Sequence, residues 1–281
     1  MTRLPTSASA AISSLLTIPP TSPLTFIYAS HSRWPLPPTP STEPPRSLKI
    51  SVLDSSFNPP HAAHVALASR VGSEEAQLLA FTLSNADKKV DKSELYHRLE
   101  MIRALAVDMG RKAEGGKWSN CAVAVLDAPF FTQKSEVLNE EVTKLVKDHG
   151  EKEIVPEFVF PVGWDTVIRI FASRYYPPPG PDLSSQMTTF FSTNRSSILC
   201  ARRGNLSSSE ETKFLSDPEV DKWIQQGKVE VFDLDPEVQG ISSTEIRKAV
   251  KEGDWEKLER MVPFPSVVEI IKSEKLYKGE C

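Results

Sequence analysis

Two histidines three positions apart, His61 and His64 in Phe57-Asn-Pro-Pro-His-Ala-Ala-His64, share one face of the first turn of an expected helix. Unpaired backbone N–H groups and the positive end of the helix macrodipole lie there too. Imidazoles at that end can donate hydrogen bonds to phosphate oxygens and carry positive charge as a transition state gathers negative charge. Far downstream, Ile241-Ser-Ser-Thr-Glu-Ile-Arg247 opens a second helix. Ser242, Ser243 or Thr244 can cap it and supply hydroxyl and backbone donors to an anion. Arg247 projects from its first turn and can grip a phosphate by a two-pronged contact. Each segment reads as half of a phosphate site, and together they make a nucleoside triphosphate the leading ligand. Singly, each also has a plain structural reading, as cap-proximal histidines or as a capped surface helix with a solvated arginine. Zinc is disfavoured, because H-x-x-H lacks the Glu of H-E-x-x-H and no Cys or third His stands nearby at ligand spacing.

The elements that must position these side chains are legible around them. Ile50–Leu53 is a short apolar, β-prone run, so a buried strand is predicted over Leu48–Leu53. Pro59 and Pro60 stop it and suit the first turn of the helix that follows. Val65, Leu67, Ala68 and Val71 continue as that helix's apolar face. Further strands are predicted at Gln77–Leu83, Cys121–Leu126, Phe158–Val162, Ser196–Ala201 and Val229–Phe232. Helical periodicity over Glu94–Met109 and a helix from about Phe130 alternate with them. Such alternation predicts an α/β fold with a mainly parallel, doubly wound sheet. In such sheets ligands bind beyond the carboxyl ends of the strands, where every candidate residue falls.

The motifs together resemble the nucleotidylyltransferase superfamily, and within it the nicotinamide mononucleotide adenylyltransferases. The superfamily pattern is G-x-F-x-P-x-H-x-G-H with a distal I-S-S-T-x-x-R. Here the first reads Ser55-Ser-Phe-Asn-Pro-Pro-His-Ala-Ala-His64, and the second matches in full. The wording Leu53-Asp-Ser-Ser-Phe-Asn-Pro-Pro-His61 is similar to the divergent fungal branch, the promoter-of-filamentation type. The resemblance spans roughly Leu48 to Lys275. It departs from the pattern where Ser55 and Ala63 replace glycines that let backbone approach a nucleotide closely.

The resemblance implies a Rossmann-like fold and transfer of AMP from ATP to nicotinamide mononucleotide, giving NAD and pyrophosphate. His64, His61 and Arg247 are then catalytic. Ser55, Ser56, Phe57, Ser242, Ser243 and a lysine-bearing loop with Lys88 or Lys89 join them in holding ATP. Asn85, Phe131, Thr132, Gly163, Trp164 and Asp165 fall where the family lines its acceptor pocket. Magnesium accompanies ATP, bridging phosphate oxygens largely through water, and no metal ligand is assigned to the protein. His97 reads as structural. Arg202-Arg-Gly204 stands at a strand end, either meeting phosphates or forming a surface charge pair. Other readings stay open: another phosphorylated acceptor, ATP hydrolysis, or a non-catalytic nucleotide-binding or protein-interaction module.

Composition sets the frame. The chain has 281 residues, 40% hydrophobic and 25% charged, which is ordinary for one large α/β domain. A formal net charge of −4 gives no general basic surface, so nucleic acid is not an expected partner. No stretch is long enough to span a membrane. The three cysteines, Cys121, Cys200 and Cys281, show neither metal spacing nor a disulfide pattern, which fits a cytoplasmic or nuclear interior. The N-terminus makes a poor signal peptide and has few arginines for a mitochondrial presequence. Residues 1–47 are rich in Pro, Ser and Thr and read as a partly flexible arm, able to meet a protein partner. Within it Thr25–Tyr28 reads as a strand and Trp34–Arg46 as a linker, and deleting Met1–Pro37 is expected to leave ATP affinity nearly intact. Residues 48–281 form the catalytic domain. It is interrupted near 175–193 by a Pro-rich stretch expected to be a surface insertion by the pocket mouth.

Overall fold

The computed structural model describes residues 4–5, 7–17, 22–39, 47–70, 76–83, 92–112, 117–176, 179–202 and 208–279. In chain order the main elements are α1 (Ala8–Thr17), β1 (Leu24–Ala29), β2 (Leu48–Asp54), α2 (Ala62–Ser69), β3 (Ala76–Thr82), α3 (Lys92–Lys112) and β4 (Cys121–Leu126). There follow α4 (Phe131–Asp148), β5 (Pro156–Gly163), α5 (Trp164–Ile170), α6 (Leu183–Thr188), β6 (Ser196–Arg202), α7 (Ser208–Leu215) and α8 (Pro218–Gln225). The chain closes with β7 (Val229–Asp233), α9 (Pro236–Gln239), α10 (Ser243–Glu252), α11 (Trp255–Met261) and α12 (Pro265–Ser273). The predicted strands match β2 through β7 to within a residue or two at each end.

Among the described residues the strands form one sheet in the order β1-β4-β3-β2-β5-β6-β7. All neighbours run parallel except β1, which lies antiparallel to β4. From β2 the chain winds outward through β3 and β4, then returns to β2's other side with β5. The order therefore reverses between β2 and β5, and a crevice opens beyond their carboxyl ends.

Strand alternation feeds two large cores and a small third one of Ala63, Leu199, Ala201, Phe232 and Leu234. Ile50, Val52, Leu78, Ala80, Ala122 and Ala124 face α4, α5, α6 and α8. Leu53, Leu79, Phe81, Val123 and Val125 face α1, α3, α10, α11 and α12 on the other side. Both faces are covered by helices, as a parallel sheet requires.

Two expectations are corrected. The Trp34–Arg46 segment is expected to be a linker, yet Trp34 and Leu36 are buried core residues; residues 40–46 lie outside the described residues. The Trp34 indole packs edge-on against Phe26, its Nε1–H donates to the Gln77 carbonyl at 3.2 Å, and Asn120 Nδ2 donates to the Pro35 carbonyl at 2.8 Å. Composition alone reads this stretch as proline-rich coil, but two large side chains dock it. The 175–193 stretch is likewise no simple surface insertion. It carries Met187, Phe190 and Phe191, all fully buried, with Phe190 against Phe160 and Phe191 against Trp223.

Candidate active site

Beyond β2 the chain turns sharply. Phe57 adopts φ 44°, a left-handed conformation rare for a bulky side chain, held by complete burial of its ring. That turn aims Pro59 and Pro60 into the start of α2, whose first turn carries His61 and His64. The Phe57 ring lies 4.9 Å from the His64 ring, and the two imidazole centroids are 3.8 Å apart. Phe57 is thus a support under His64. Its burial removes it from the residues that could touch ATP directly.

The hydrogen bonds of His64 assign its proton. Its Nδ1 accepts from the backbone N–H of His61 at 3.2 Å, so the proton of the neutral ring sits on Nε2. Nε2–H then donates to Ser55 Oγ, 2.9 Å away. A second proton on Nδ1 would meet the His61 N–H head-on. The geometry supports a neutral, aimed donor here, rather than the cationic imidazole that the spacing alone suggested.

The second motif closes on the first. Ser242 caps α10, its Oγ accepting from the Glu245 N–H at 3.2 Å. Ser243 Oγ donates to the Pro59 carbonyl at 3.0 Å, and Arg247 Nη1 donates to the Asn58 carbonyl at 2.7 Å. Arg247 Nη2 reaches Thr244 Oγ1 at 3.1 Å. Both serine hydroxyls and two arginine nitrogens are therefore engaged with protein. The two-pronged grip expected of Arg247 is first a clasp between motifs, and the start of α10 has the polarity of an anion site. Tyr277, which no sequence signal marked, donates from its hydroxyl to Asn58 Oδ1 at 2.6 Å. Burial raises its pKa, against the opposing pull of Arg98 and Arg247, so it stays a donor.

Between α2, the carboxyl ends of β5 and β6, and the 234–241 connection lies a small cleft, open to solvent. His61, His64, Gly163 and Gln239 supply its polar wall; Ala63, Leu67, Ala201, Leu234 and Ile241 supply an apolar one. The apolar residues suit the flat face of a base, and the N-caps of α2 and α5, His61 and Gly163, line it together with Ile241, which precedes the N-cap of α10. Gly163 has φ −80°, which any residue adopts, so its value is the space it leaves in the wall. The Ala63 methyl occupies wall that the family's glycine would leave open. Leu234 and Gln239 were missed because neither belongs to a motif, and Ile241, the first residue of the second motif, was not singled out as a lining residue.

Other expected residues fall elsewhere. Ser56 is exposed on the loop after β2, and Asp165 is exposed in the first turn of α5. Trp164 is buried edge-on against Phe214 and shows no open face for stacking on an acceptor. Phe131 packs on Phe160, and Thr132 is buried; neither lines the cleft that holds His64. Arg202 is taken up by Glu211 at 2.5 Å and Asp233 at 3.5 Å, the charge-pair reading of that strand end. Asn85, Lys88 and Lys89 lie outside the described residues. Among the described residues no three His, Cys, Asp or Glu side chains are placed to hold a metal ion, and no helix is long and apolar enough to cross a membrane.

One pair in the site was invisible in the sequence. Asp54, the last residue of β2, accepts from Thr82 Oγ1 at 2.8 Å and forms an ion pair with Lys134 of α4. Lys134 Nζ also lies 4.5 Å from the Phe131 ring centroid.

Comparison with known proteins gives the family. The cytidylyltransferase-like family model matches residues 52–249, which takes in both motifs. A Schizosaccharomyces pombe protein provisionally named nicotinamide mononucleotide adenylyltransferase is 28% identical over 241 residues, covering 82% of this chain and 86% of its own. Among solved structures, the Plasmodium falciparum nicotinic acid mononucleotide adenylyltransferase complexed with APC aligns at 15% identity and a TM-score of 0.48. That alignment covers 83% of this chain and 98% of the other.

Proposed function

The chain belongs to the cytidylyltransferase-like family, and from that premise we propose that it is a nicotinamide-nucleotide adenylyltransferase. ATP and nicotinamide mononucleotide are its substrates; NAD and pyrophosphate are its products. The observation that carries the reading is the clasp of the two motifs. Arg247 and Ser243 reach the Asn58 and Pro59 carbonyls, placing the start of α10 against the loop that leads to His61 and His64. The name borne by the S. pombe relative supports the same activity.

In this reading a 5′-phosphate oxygen of the acceptor attacks the α-phosphorus of ATP. A P–O bond forms there, the bond to the α,β-bridging oxygen breaks, and pyrophosphate departs with the electron pair. No protein nucleophile is required. The chain contributes alignment and hydrogen-bond donors aimed at growing negative charge. His64 Nε2–H turns from Ser55 to a phosphate oxygen. The amides opening α10, with the remaining Arg247 donors, hold the β and γ phosphates. The apolar wall of Ala63, Leu67 and Ile241 receives the adenine.

Magnesium belongs to this proposal as part of the ATP complex, where it neutralises phosphate charge when bound. The donor set fits a substrate-borne ion: Asp54, the carboxylate beside the first motif, is committed to Lys134 and Thr82. A cytoplasmic or nuclear location goes with the reading, in keeping with the unpaired thiols of Cys121 and Cys200.

The test is product analysis after incubating the protein with ATP, magnesium and, in turn, nicotinamide mononucleotide, nicotinate mononucleotide or phosphopantetheine. A dinucleotide with equimolar pyrophosphate from the first is the expected result. Pyrophosphate only with phosphopantetheine, or ADP and phosphate with every acceptor, would overturn it.

A further inference from the structure

Asp54 and Ser55 are neighbours in sequence but serve opposite faces of the sheet. Following Ile50 and Val52, Asp54 turns toward α4; Ser55 turns toward α2 and receives the His64 donor. The backbone between them is held to β3, where Asp54 pairs with Ala80 and the Ser55 N–H donates to the Ala80 carbonyl at 3.2 Å. On the other side the Asp54 carboxylate is locked by Thr82 from the end of β3 and Lys134 from the first turn of α4. Lys134 is only 4% exposed, so its ammonium has exchanged water for Asp54 and the Phe131 ring. A buried ion pair is weak support for stability as such, because desolvation offsets much of the attraction. Placing one at the strand end that presents Ser55 is therefore better explained by what it positions.

We propose that Lys134 is a positioning residue for His64. Acting through Asp54, it fixes the strand end that sets Ser55 against His64 Nε2. It also ties the start of α4, with Phe131 and Thr132, to the phosphate loop, so the two sides of the crevice share one clamp. The kinetic consequence rests on the transferase reading; the structural consequence does not.

The test uses the full chain. Lys134→Met alone leaves Asp54 buried without its cation, which endangers folding. The informative protein is the double variant Asp54→Asn/Lys134→Met, which removes both charges and keeps the side-chain volumes. Its fold is checked by thermal melting. With ¹⁵N-labelled histidine the five rings of the chain are few enough to assign by single substitution. In the parent protein, His64 is expected as the Nε2–H tautomer with a hydrogen-bonded, slowly exchanging proton. In the folded double variant that signature is lost, and turnover falls about 10–100-fold with the ATP KM little changed, as expected for a misplaced donor. A His64 resonance identical to the parent's overturns the proposal, whatever the turnover. If the parent makes no dinucleotide, the transferase reading falls, while the histidine spectrum still decides the role of Lys134.

Discussion

Arg247 Nη1 and the carbonyl oxygen of Asn58 meet at 2.7 Å across 189 positions of chain. Together with the Ser243 bond to the Pro59 carbonyl, that contact brings the starts of α2 and α10 together. Two of the arginine's nitrogens hold protein, and in the proposed reading the rest of the guanidinium meets phosphate.

Arg247→Ala should therefore weaken ATP binding and turnover together, because phosphate contacts of this kind act in ground and transition states alike. It should also lower stability by about 1–3 kcal/mol, since the Asn58 carbonyl loses a charged donor. Arg247→Lys should restore one contact at most and should not rescue. Calorimetric ATP titration, steady-state kinetics and thermal melting separate the three effects. Normal ATP affinity in a folded Arg247→Ala protein would show the arginine to be a clasp alone.

Trp34 should prove structural despite its proline-rich surroundings. Trp34→Ala removes a fully buried indole and its bond to the Gln77 carbonyl, and should cost about 3–5 kcal/mol in denaturant unfolding. The same burial changes the expectation for the arm. Deleting Met1–Pro37 removes β1 and uncovers β4, so loss of folding is now the expected outcome. A soluble truncated protein with the parent's melting temperature would refute this.

Acidification should loosen the same region. Burial lowers the pKa of His31 below its ordinary 6.5; the Asn120 side chain opposes this, while Arg33 and His149 reinforce it. Burial lowers that of His149 too, with Arg33 adding to the shift and Asp148 opposing it. A histidine that is less basic folded than unfolded binds fewer protons in the native state. Its contribution is present above the unfolded value near 6.5 and is lost as pH falls toward the folded value. Melting temperature should accordingly drop between about pH 7.5 and about pH 5.5. His31→Gln should flatten that slope; an unchanged slope would remove His31 from the explanation.

Much of this is legible in the amino-acid sequence. Strands β2 to β7, the parallel winding and the meeting of the two motifs follow from apolar runs punctuated by Pro, Gly and capping residues. The proton on His64 is not, since it depends on where the His61 N–H points. The Asp54–Lys134 pair is not, because its members stand 80 positions apart and nothing in the first motif marks Lys134 as a partner of Asp54. Trp34 and Leu36 were hidden by composition: proline and serine around them suggest coil, and only the docked position shows their burial. Trp164 erred the other way, as an aromatic next to Gly163 that invites a stacking role but turns into the core against Phe214.

The central claim is that His64 donates to charge that develops during adenylyl transfer, and His64→Ala tests it most directly. Dinucleotide formation is measured at steady state, and ATP binding separately by calorimetry. Turnover should fall about 10²–10³-fold, roughly 3–4 kcal/mol of transition-state stabilisation, while ATP affinity stays nearly unchanged. Near-normal turnover in a folded His64→Ala protein would contradict the mechanism and leave the cleft as a nucleotide-binding site without that chemistry.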